Sequence, residues 1–172
     1  MGTAANLINA QAKDMTPSTE FAGLYERHYA AVYRTALRVT GNRADAEDVL
    51  QTVFLRVLKN GGRVDAAYAA EAYFRRAAAN AALDLLRRRG TRAEVAVEEA
   101  DSVAAKESPL FLKERLRRAL AVLDPEDALL FFLRYVEGIS NGELAEMFGQ
   151  EKNNIAVRLH RIRQNLQTEI DR

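Results

Sequence analysis

Hydrophobic positions recur along this chain at helical spacing and divide it into a series of amphipathic segments. Phe21, Leu24, Tyr25, His28, Tyr29, Val32 and Ala36 line one face of a first helix, for which Thr16 is a cap and Pro17 suits the first turn. Gly41 and Asn42 break it. A second helix is expected from about Arg43 to Lys59, with Val49, Leu50, Val53, Phe54, Val57 and Leu58 turned inward and Gly61-Gly62 ending it. A third starts near Asp65 and runs through AAYAAEAYFRRAAANAALDLLRRR to Gly90. These three can bury a shared core.

Residues 91–108 lose the pattern. They are acidic, hold no large apolar side chain beyond valine and end before Pro109, as a flexible linker does. The periodicity then resumes with Leu112, Leu116, Leu120 and Leu123, and Asp124-Pro125-Glu126-Asp127 supplies a cap, a first-turn proline and first-turn acids to the next helix. That helix, ALLFFLRYVEG, is apolar nearly all round and is expected to be a buried centre. Ser140 and Glu143 form a capping box for a short helix that Gly149 closes. A last helix carries Ile155, Leu159, Ile162, Leu166 and Ile170 in one stripe. The expected fold is therefore all-α: a loose tail at 1–15, a helical domain at 16–90, a linker at 91–108 and a second helical domain at 109–172.

Composition narrows the chemistry. Alanine, leucine, arginine and glutamate dominate the 172 residues and only three prolines interrupt them, which favours helix throughout. With no cysteine, a disulfide framework, a thiolate metal site and a cysteine nucleophile are all excluded. No apolar run approaches the roughly 18 residues of a membrane span, and the N-terminus lacks the order of a secretory signal. A cytoplasmic protein without membrane insertion is expected. The net charge of +1 does not mark a nucleic-acid binder, but its distribution does more: acid gathers in RADAEDV and from Glu94 to Asp101, base at Arg87, Arg88, Arg89 and Arg92 and again at Arg158, Arg161 and Arg163.

The short capped helix, tight turn and arginine-rich last helix follow the grammar of a helix-turn-helix. Opposite its apolar stripe the last helix shows Asn153, Asn154, Arg158, Arg161 and Gln164, side chains able to bond base edges in the major groove and to hold phosphates. An isolated helix of this kind reads as a solvated surface helix. The compact spacing points to DNA instead.

RADAEDVLQTVFLRVLKN, AYFRRAAANAALDLLRRR, LRRALAVLDPEDALLFFLRYVEGISNGELAEMFG and RLHRIRQNL, in that order and spacing, resemble the extracytoplasmic-function sigma factors of bacterial RNA polymerase, over roughly residues 18–170. The resemblance implies a non-enzymatic initiation factor whose first domain melts and reads the promoter minus-10 element and whose second reads the minus-35 element. It places Asp45, Glu47, Asp48 and Gln51 on the clamp helices of core polymerase, although first-turn acids also suit the helix dipole. Tyr73, Arg76, Asn80, Asp84, Arg87 and Arg88 would meet minus-10 DNA, with Arg75 on the same broad face: arginines for phosphates, polar edges and a ring for unstacked bases. Tyr73 stands where the family usually has tryptophan, and Tyr73 and Phe74 read equally well as core. The loop at about Asn60 to Tyr68 would capture a flipped base.

Asn153, Asn154, Arg158 and Arg161 would contact the minus-35 element. Here the chain departs from the family, with Gln150 and Glu151 in the turn and Ala156 in place of a common basic residue, so capping is expected to move to Asn153. His160 reads as a phosphate or structural contact. The implied partners are RNA polymerase core and promoter DNA, with an anti-sigma factor as a third class; no cofactor or metal is implied, and the free protein is expected to be a monomer. Two other readings stand beside this one. A sigma-like decoy that binds an anti-sigma factor need not keep the basic faces, and a stand-alone helix-turn-helix repressor would bind duplex without polymerase. An enzyme is disfavoured, because the chain shows neither a Gly-rich phosphate loop nor a nucleophile–base pair.

Overall fold

The computed structural model describes residues 19–61, 64, 70–93 and 109–170. Among the described residues every regular element is a helix: α1 Thr19–Thr40, α2 Arg43–Lys59, α3 Ala70–Ala93, α4 Pro109–Val122, α5 Pro125–Tyr135, α6 Asn141–Phe148 and α7 Lys152–Ile170. The expected tail, the Thr16-Pro17 start, most of the loop from Asn60 to Tyr68 and residues 94–108 lie outside the described residues. So does the expected start of the third helix near Asp65.

The inward positions of α1 and α2 follow the periodicity, with Val32, Ala36, Val39, Val49, Val53, Phe54 and Val57 buried. Tyr25 and Tyr29 do not follow it. They lie toward the start of α1, stay 39% and 47% exposed, and stack on each other at 5.7 Å between ring centres. A tyrosine keeps its hydroxyl hydrated at such an end at little cost.

The centre of the molecule is α3, which packs on α1 and α2 and also on α4 and α5. Its buried Ala78, Ala79, Ala81 and Ala82 explain how one helix serves both sides, since small side chains let neighbouring axes approach closely. Phe74 is fully buried between His28 and Phe54, with ring centres 4.5 and 5.2 Å away, so it is core. The helix continues through Gly90 to Ala93, beyond the glycine at which sequence ends it, because Gly90 keeps a negative φ. Glycine inside a helix costs about 1 kcal/mol relative to alanine and does not by itself stop one.

In the second domain Asp124 caps α5 by accepting from the Glu126 and Asp127 amides at 3.0 and 3.4 Å. Ala128, Leu129, Leu130, Phe132 and Leu133 are buried, as expected of a central helix, while Tyr135 remains 44% exposed at its end. The capping box of α6 is complete: Ser140 Oγ accepts from the Glu143 amide at 3.2 Å, and Glu143 Oε2 accepts from the Ser140 amide at 2.9 Å. Gly149 takes φ +60°, and the Gln150 amide returns to the Ala145 carbonyl at 2.9 Å. Helix α7 then begins at Lys152, and its Ile155 amide donates to the Glu151 carbonyl, so Asn153 sits inside the first turn and is not the cap.

Three arginines join the two domains. Arg38 pairs at 2.8 Å with Glu137, whose side chain is only 3% exposed. Arg117 Nε donates to the Val39 carbonyl at 2.9 Å. Gly41 has φ +74°, so the backbone favours glycine there, and a Cβ at this position would also displace the flexible end of Arg117. Arg76 makes the third connection.

Candidate nucleic-acid and partner interfaces

The acidic segment at the start of α2 divides into a buried and an exposed part. Asp45 is 1% exposed. Its Oδ2 accepts from Asn42 Nδ2 at 2.6 Å, its amide donates to Asn42 Oδ1 at 2.9 Å, and its Oδ1 receives the Arg89 guanidinium from α3. Asn42 thereby caps α2 while Asp45 ties α2 to the end of α3. In this arrangement Asp45 does not face an outside partner. Glu47, Asp48 and Gln51 face solvent, all three being exposed on one side of the helix.

The residues expected at minus-10 DNA spread along α3. Tyr73 is half-buried edge-on to Phe74, with ring centres 5.4 Å apart, and Asn80 is half-buried. Asp84 pairs with Arg87 at 2.8 Å, Arg75 pairs with Glu71, and Arg88 is exposed. Arg76 reaches across to the second domain: its Nη1 donates to the Met147 carbonyl and its guanidinium lies 4.6 Å from the centre of the Phe148 ring. Sequence offers no signal for that contact, which joins residues 71 positions apart.

The expected minus-35 residues share α7 but not one environment. Asn153, Asn154 and Arg161 are exposed, whereas Arg158 is half-buried and held by Asp127 at 2.6 Å and Glu126 at 2.7 Å. Burial alone would favour a neutral Arg158; the hydrogen bonds and charges of Asp127 and Glu126 outweigh it and keep the group above its ordinary value. The first-turn acids of α5 thus stabilise a helix start and anchor α7. Their second role is invisible locally, although their sign was legible. His160 is exposed beside Arg161.

These surfaces belong to matching family segments. Residues 24–92 match the profile of Sigma-70 region 2, and residues 113–166 match that of Sigma-70, region 4. The chain is 34% identical over 151 residues to the ECF RNA polymerase sigma factor SigE of Mycolicibacterium smegmatis, covering 83% of this chain and 58% of that protein. It thus spans little more than half the length of that relative. It is 31% identical over 143 residues to the ECF RNA polymerase sigma factor SigL of Mycobacterium tuberculosis, covering 80% of this chain and 81% of that one. To the RNA polymerase sigma factor CarQ of Myxococcus xanthus it is 32% identical over 147 residues, covering 82% and 83%. Among solved structures it shares its fold, at TM-score 0.52 and 19% identity, with the sigma factor RpoE bound to the anti-sigma factor NepR from Bartonella quintana, over 88% of this chain and 96% of that one. With two family segments in order and relatives matched over most of their length, the chain belongs to the sigma-70 family, in its extracytoplasmic-function group of RNA polymerase sigma factors.

Proposed function

We propose that this chain directs core RNA polymerase to a bipartite promoter from the cytoplasm, with α1–α3 on core and the minus-10 element and α4–α7 on the minus-35 element. The observation that carries this is the pairing, in one chain, of a region 2 segment at 24–92 with a region 4 segment at 113–166. The exposed surfaces suit the division. Glu47, Asp48 and Gln51 offer an acidic face to a basic partner, since one first-turn acid would serve the helix dipole and Asp45, which is buried, already does so. Asn153, Asn154 and Arg161 offer a recognition helix to the major groove. Among the described residues no helix is long and apolar enough to cross a membrane.

The two domains cannot both stay as they are when DNA is read. Arg76 is engaged by Met147 and Phe148, so its use on minus-10 phosphates needs the second domain to move off α3. Core polymerase can supply that displacement if it binds the separated domains better than the closed pair. The test is promoter-dependent transcription by core polymerase with the added chain. Wild type should start transcripts at defined sites, and Asp48→Lys should abolish them by losing core binding; unchanged core binding in that variant would refute the docking assignment.

A further inference from the structure

Val157 is the one large apolar side chain that α7 leaves more than half exposed, at 53%. Its place on the helix is specific. At about 100° per residue, the buried stripe of Ile155, Leu159, Ile162 and Leu166 centres roughly 170° away from Val157, so this valine stands at the middle of the face farthest from the core. Asn153 and Arg161 lie one turn before and one turn after it, each about 40° to either side. Core packing and the rim of the apolar stripe therefore give no account of it.

The neighbouring arginine sharpens the point. Arg158, the next residue, is held by Asp127 and Glu126, so its guanidinium is committed to orienting α7 on α5. The hollow beside it is lined by Gln150, Asn154, Val157 and Arg161 and also by Asp124, Glu126 and Asp127, the last two of which are paired with Arg158. A recognition helix presents the outer face of its N-terminal half to base edges, and the apolar feature of the major groove is the C5-methyl of thymine. Resting on the function proposed above, we infer that Val157 is a specificity residue that packs on one thymine methyl of the minus-35 element, while Asn153, Asn154 and Arg161 supply the polar contacts around it.

The experiment uses holoenzyme made from core polymerase and the full chain. Promoters are selected from a random library, and each thymine of the selected minus-35 block is then replaced by deoxyuridine, which removes one methyl and nothing else. One replacement should weaken promoter binding about fourfold, the worth of a single buried methyl-sized group. The same replacement should be neutral for holoenzyme carrying Val157→Ala, whose melting temperature is expected to match wild type because the side chain is exposed. A minus-35 block without thymine, or one in which deoxyuridine affects both proteins alike or neither, overturns the inference and leaves the sigma-factor reading standing. Selection that returns no minus-35 block at all overturns both.

Discussion

The carboxylate of Asp45 is enclosed by Asn42 and Arg89, whereas Asp48, one turn later, faces solvent, and the two should answer differently to substitution. Asp45→Ala removes a partner of the Asn42 cap and of Arg89. Its cost should be about 2 kcal/mol in urea unfolding, below that of breaking a fully buried pair because Arg89 is more than half exposed. Asp48→Lys should change stability by less than about 1 kcal/mol and act on polymerase binding instead. The difference was not legible in DAEDV, because burial of Asp45 depends on an arginine 44 residues away. His28 supplies a second test. Burial against Phe74, then the nearby Arg27, lowers its pKa below the ordinary 6.5, with Glu71 partly opposing. The folded protein therefore binds fewer protons there than the unfolded chain, so stability is full above about pH 6.5 and falls as pH drops through that value toward the lowered one. Melting temperatures on either side of pH 6.5 should show the slope, and His28→Phe should flatten it.

Local devices decide most of the elements. The capping box of α6, the αL glycine at 149, the Asp124 cap and the stripe of α7 depend on residues within a few positions of one another, and all four were legible from spacing. Ser140→Ala should cost about 1 kcal/mol, as loss of a helix N-cap does, and should weaken minus-35 binding because α6 sets the entry into α7. Urea unfolding and promoter binding by holoenzyme would report the two effects. What spacing missed are features set by tertiary packing. Tyr25 and Tyr29 keep helical register but reach solvent, Gly90 is carried through by the rest of α3, and Asn153 yields the helix start to Lys152. In the same way the expected minus-35 quartet separates into three exposed side chains and Arg158, whose acids come from another helix.

At the scale of the whole molecule, the closed arrangement engages Arg76, the residue that the proposed function also assigns to minus-10 DNA. Beside the packing of α3 on α4 and α5, a few polar contacts among the described residues hold the domains together. A guanidinium over a ring contributes about 0.5–1 kcal/mol at an accessible site, and a charge-assisted hydrogen bond about 1.5–3 kcal/mol. The Arg38–Glu137 pair adds a buried carboxylate that must keep its partner. Phe148→Ala removes the ring and should raise binding of the free chain to a single-stranded minus-10 oligonucleotide by about fivefold, roughly 1 kcal/mol of released closure. Fluorescence anisotropy would measure it, and energy transfer between labels on α2 and α7 would report whether the domains part. Domain order was legible in the sequence because each domain has its own periodic pattern; their packing through α3 was not, because it rests on alanines and on long arginines that read equally well as surface.

The central claim is that one chain reads two promoter elements for core polymerase. Its most direct test is in-vitro transcription on a random promoter library with core polymerase and the added chain. Transcribed templates should be enriched for two sequence blocks at a fixed separation, with the upstream block altered by Asn154→Ala or Arg161→Ala and all initiation lost with Asp48→Lys. Transcription no different from core polymerase alone, or sequence-specific duplex binding that needs no polymerase, would contradict it.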